Sequence, residues 1–100
     1  MFIVDLTYLV PLERIDASLE AHRAFLTRHF DAGVLIASGP KVPREGGVLL
    51  AHGVDRAQLD AILATDPFAV EGLARYTVTE FTASRLAPGL DLPVPGAPRG

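Results

Sequence analysis

The succession of segment types along this 100-residue chain predicts an α+β fold. The order is strand, helix, strand, strand, helix, strand: the ferredoxin-like βαββαβ plan, with a four-stranded antiparallel sheet and two helices on one face. Three observations carry the prediction. The hydrophobic period switches between two and about 3.6 residues at Gly and Pro punctuation. A hydrophobic content of 49% is ample for one core. And 100 residues leave no room for a second domain.

Taken in order, residues 2–10 are rich in β-branched and aromatic side chains and stop at Pro11, a strand followed by a break, with Asp5 and Thr7 sharing one face. From about Glu13 the period is helical, acidic at the start, and runs for about five turns to Gly33. Ile15, Leu19, His22, Leu26 and His29 define its core face, and Glu20 and Arg23 are spaced to pair across one turn. Residues 34–38 and 46–52 are nearly continuous apolar runs, expected to be strands buried on both sides and joined by turn-forming residues 39–45. Asp55 is a good N-cap for a second helix with Leu59, Ile62 and Leu63 inward, which Thr65-Asp66-Pro67 ends. A short helical turn over 67–73 and a last strand over 75–82 complete the domain, residues 1–85. Residues 86–100 are a Pro- and Gly-rich tail, expected to be mobile or draped on a neighbour.

Both faces of the two middle segments are apolar, and large exposed apolar patches are rare on monomers, so a homodimer through the open sheet face is expected. The net charge of -3 without basic runs argues against nucleic acid as a partner. No apolar run approaches the roughly 18 residues of a membrane span, and no basic leader precedes the first strand, so the expectation is a soluble cytoplasmic protein without membrane contact. With no cysteines, thiolate nucleophiles, disulfides and iron-sulfur ligands are excluded.

His22 stands where a helix should carry an apolar side chain, and Asp66 heads an Asp-Pro-Phe turn. Each has a structural explanation, His22 as a half-buried core histidine and Asp66 as the N-cap before Pro67. In the βαββαβ plan the end of the second helix can approach the inner face of the first, and geometry decides whether the two residues touch. A carboxylate bonded to one imidazole nitrogen would fix the tautomer and leave the other nitrogen as a general base. His29, two turns from His22 and about 10 Å along the axis, is badly spaced for a shared metal. It is expected instead to favour the helix C-terminus as a cation. Ser38 and Gly39 offer a hydroxyl and an approachable backbone, and Tyr8 and Tyr76 are expected in the core.

His22, Gly33, Ser38-Gly39-Pro40, Asp66-Pro67-Phe68 and Gly72, in that order and spacing, resemble the YCII-related (YciI-like) family over residues 1 to about 83. The resemblance implies a dimeric α/β barrel, a His22–Asp66 active-site pair, and Ser38 and Gly39 in the pocket. It also implies a dehydrochlorinase as the enzymatic precedent. The leading expectation is a small-molecule lyase or isomerase without cofactor or metal, with dehydrochlorinase-like proton transfer. His22 and Asp66 would be catalytic, and Ser38, Gly39, Asp5 and Thr7 would bind substrate. The alternative is a non-catalytic dimeric ligand-binding or accessory domain in which His22 and Asp66 are a structural pair.

Overall fold

The computed structural model describes residues 1–90. Eight elements follow one another: β1 (Phe2–Tyr8), α1 (Leu12–Ala17), α2 (Leu19–Asp31), β2 (Leu35–Pro40), β3 (Gly46–Ala51), α3 (Arg56–Leu63), α4 (Pro67–Val70) and β4 (Ala74–Glu80). The strands form one antiparallel sheet in the order β2-β3-β1-β4, the ferredoxin-like topology. Strand alternation sends Phe2, Val4 and Leu6 of β1 to one face, where they are buried with Ile15, Phe25, Leu59, Leu63 and Phe68 of the helices. All four helices therefore cover the same face. Ile3, Asp5 and Thr7 lie on the other, with Val48 and Leu50 of β3 beside them in register.

The local chemistry of the chain explains where the elements stop. Asp55 caps α3 in a reciprocal box: its carboxylate accepts from the Gln58 N–H at 2.7 Å, and its own N–H donates to Gln58 Oε1 at 2.8 Å. Helix α2 ends in a Schellman motif. The Gly33 N–H reaches the Phe30 carbonyl and the Val34 N–H the His29 carbonyl, both at 3.0 Å, with Gly33 at φ +78°. At Gly46 the requirement is spatial, since a Cβ there would stand 1.8 Å from the Leu6 carbonyl oxygen.

Four expectations need correction. The first helix is two helices: Ser18 leaves the helical region (φ -108°, ψ 5°) and donates its hydroxyl to Glu71 Oε2 at 2.8 Å, tying the break to the end of α4. The buried stripe accordingly runs through Ile15, Ser18, His22 and Phe25, while Leu19 and Leu26 are only half-buried. Strand β2 is not buried on both sides in the single chain, because beyond Ile36, where a bulge shifts its register against β3, it is exposed through Pro40. Glu20 and Arg23 make no ion pair. Among the described residues no helix is long and apolar enough to cross a membrane. Of the expected tail, residues 87–90 close a turn with the Leu90 N–H on the Ala87 carbonyl, and residues 91–100 lie outside the described residues.

Candidate functional site

The α2 stripe points His22 at the sheet, and the α3–α4 junction carries Asp66 to meet it. His22 Nδ1 stands 2.8 Å from Asp66 Oδ1 across 44 positions of sequence, with the residues 8% and 0% exposed. Asp66 is also the N-cap of α4, as its Asp-Pro-Phe setting predicts, its Oδ1 accepting from the Phe68 N–H at 3.1 Å. Its other oxygen, Oδ2, accepts the Tyr76 hydroxyl at 2.5 Å. A buried carboxylate with three donors converging on it is satisfied, and it dictates the imidazole tautomer. Since Oδ1 only accepts, Nδ1 is the donor of that bond, and in the neutral ring Nε2 is the nitrogen that holds the lone pair.

The imidazole is held by packing as well. Its ring lies parallel to Phe68, with centroids 4.0 Å apart and an interplanar angle of 5°. Phe25 flanks it at 6.2 Å. Phe68 thus acts twice, its backbone N–H on Asp66 and its ring on His22. One helical turn back, Ser18 anchors the start of α2 to Glu71, and the Ser18 carbonyl accepts the His22 N–H at 3.0 Å.

His22 borders a cavity of about 430 Å³ between α1, α2 and the sheet, within the size range of small-molecule sites. Leu6, Leu49, Leu19 and Leu26 make its walls apolar, and Phe68 continues them. Ser38 and Gly39 line it from β2. Tyr8, Asp16, Arg23 and Arg44 add polar groups. Arg44 donates to Asp16 at 2.5 Å, bridging the β2–β3 loop to α1; this bond, with Asp16's charge next, pushes the guanidinium above its usual range. Asp5 and Thr7, expected in the pocket, are on the opposite sheet face. There Lys41 Nζ donates to Asp5 Oδ1 at 2.8 Å and reaches Thr7 at 3.4 Å. The alternation of Phe2, Val4 and Leu6 against Ile3, Asp5 and Thr7 held that signal.

Sequence reasoning assigned Tyr76 to the core and missed its hydroxyl contact. Its phenol is pushed well above the ordinary tyrosine range, first by burial and then by the hydrogen bond to Asp66 and that group's charge. It therefore stays a donor. Tyr76 also borders a shallower depression of about 250 Å³ on the α3 flank. His29 departs from its expected role as a cation at the helix end. Burial, and secondarily Arg28, hold its pKa below 6.5, and its Nε2 is sealed without a partner. Among the described residues no three His, Asp or Glu side chains gather at metal-binding range.

The family model of the YCII-related domain matches residues 1–82. No curated protein matches the chain. A solved structure, the 5-chloro-2-hydroxyhydroquinone dehydrochlorinase from Burkholderia phenoliruptrix AC1100 in complex with 2,5-dihydroxybenzoquinone, superposes with a TM-score of 0.64 at 20% identity. The alignment covers 81% of this chain and 93% of that one. At that identity the likeness establishes the fold.

Proposed function

The chain belongs to the YCII-related domain family, and from that premise we propose that it is a small-molecule enzyme whose general base is His22. The observation that carries this reading is one imidazole with two environments. Nδ1 is fixed on a buried carboxylate while the ring borders a cavity of ligand size. In the proposed step, Nε2 takes a proton from a carbon or hydroxyl of the substrate, and Asp66 stabilises the imidazolium through the Nδ1 hydrogen bond. The electron pair of the broken bond then has two outlets. It expels a leaving group from the neighbouring carbon, a lyase or dehydrochlorinase-like outcome, or it shifts the double bond so that the same imidazolium returns the proton elsewhere, an isomerase outcome. General-base transfer of this kind contributes about 10² to 10⁴ in rate. The similar fold of a dehydrochlorinase favours the first outlet.

Ser38 and Gly39 would contact the substrate from β2. The open sheet face, with Ile3 38% exposed and Val48 and Leu50 half-buried, is the surface through which two copies would pair into a dimeric barrel. Asp5, Thr7 and Lys41 would then lie at that interface.

The test is turnover by the purified chain of halogenated or hydroxylated aromatics and lactones, with His22→Gln as control. Loss of turnover by at least about 10²-fold in a folded variant is expected. Turnover undiminished in His22→Gln refutes the base. A second reading has one observation in its favour: with Asp66 at 0% exposure the pair also locks α2 to the α3–α4 junction. A chain that binds small molecules in the cavity but turns none over would establish that accessory role.

A further inference from the structure

Charge around the His22 cavity runs against charge on the whole molecule. The chain carries a formal net charge of -3, yet the cavity is bordered by two guanidinium groups, Arg23 and Arg44, and by a single carboxylate, Asp16. That carboxylate is taken by Arg44. Arg23 has no carboxylate within ion-pair reach among the described residues, whose four ion pairs are His22–Asp66, Lys41–Asp5, Arg44–Asp16 and Arg56–Asp60. Its sequence neighbour Glu20, at helical pairing distance, does not engage it. What remains beside an apolar cavity is one uncommitted planar cation, and Arg is suited to bidentate capture of a carboxylate or other oxyanion.

We propose that the cavity selects small anions with an apolar body. Arg23 engages the charge, and Asp16 acts as an internal carboxylate that occupies Arg44 and competes with the ligand. The proposal rests on reading the His22 cavity as a substrate site and adds the substrate's charge class. Leucine walls accept the body, and the guanidinium at the rim donates its N–H groups to the oxygens. The arrangement also suits the chemistry. Proton removal by a neutral base leaves the substrate one charge more negative, and a fixed cation nearby favours that product over the starting molecule.

Three probes of one shape separate charge from fit: benzoate, neutral benzamide and cationic benzamidinium, titrated into the ¹⁵N-labelled chain while the amides of Leu19, Leu26 and Leu49 are followed. The expected order of affinity is benzoate, benzamide, benzamidinium, with about tenfold between the first two. Arg23→Gln, an exposed substitution whose folding the same spectra verify, should bring that gap to within about twofold. Asp16→Asn should raise benzoate affinity by freeing Arg44. Equal binding of benzoate and benzamide overturns the proposal, as does a gap unchanged in Arg23→Gln, a weaker benzoate complex in Asp16→Asn, or no response of the cavity amides to any probe. Equal binding at the cavity would leave the His22 reading standing, because that reading needs a pocket and a base but no particular ligand charge. Its own failure would show in turnover by His22→Gln and leave charge selectivity intact.

Discussion

Replacing Asp66 by Ala removes the acceptor on which three donors converge at 0% exposure. The cost can be worked from each donor's alternatives. The Phe68 N–H loses its cap, about 1 kcal/mol. The His22 Nδ1–H, sealed beneath Phe68, loses its only partner, about 1 to 3 kcal/mol. Tyr76, at the edge of the α3-side depression, can recover a water and adds little. The sum is about 3 kcal/mol, a large part of the roughly 5 to 15 kcal/mol that hold a domain together, and a fall in Tm of about 15 °C. Asp66→Asn keeps the shape and one acceptor and should cost about half as much. Urea unfolding of wild type, Asp66→Ala, His22→Ala and the double variant closes a thermodynamic cycle, in which a coupling of about 1.5 to 3 kcal/mol is expected for the buried pair. A coupling below about 0.5 kcal/mol, or an Asp66→Ala cost below about 1 kcal/mol, would refute the claim that this pair clamps α2 to the α3–α4 junction.

Three further outcomes follow from particular contacts. His29 is held below 6.5, so the folded chain takes up its proton less readily than the unfolded chain. Stability from this source is complete above pH 6.5 and declines as the pH falls below it, and His29→Gln should show a shallower acid-side decline in urea midpoint; parallel declines would contradict the assignment. Tyr76 is shifted upward, so above pH 10 the unfolded chain releases a proton that the folded chain keeps. Phenolate absorbance at 295 nm should therefore rise equally in wild type and Tyr76→Phe while both stay folded, and a larger rise in wild type would show Tyr76 ionising in place. Gly46→Ala puts a methyl 1.8 Å from the Leu6 carbonyl oxygen, a backbone atom that cannot swing aside, and should destabilise by about 2 kcal/mol or more by urea unfolding. An effect within about 0.5 kcal/mol would mean that β1 and β3 do not approach as described.

His22 was visible in the sequence because a polar ring interrupted an apolar stripe, and Asp66 because a cap residue precedes proline. Neither observation says that they touch. Leu19 and Leu26 drew the expected core face by hydrophobicity. The buried positions one residue earlier, Ser18 and Phe25, are chosen by the break at Ser18 and its bond to Glu71 on a distant element. Asp5 and Thr7 do share a face, but that face lies opposite the helices. Tyr76 was hidden because its ring does sit against the core while only its hydroxyl reaches the carboxylate.

Period, punctuation and capping are short-range properties, and by themselves they determined the βαββαβ order, the cap at Asp55, the cap at Asp66 and the family pattern. Packing decided the rest: which oxygen of Asp66 meets His22 across 44 positions, that Tyr76 completes the set, and that Arg23 faces a cavity in place of Glu20. The physical reason is the same in each case. A helix or strand knows its own face from its own residues, but the rotation at which two elements dock is set by the side chains of both, and a site forms only at that docked angle.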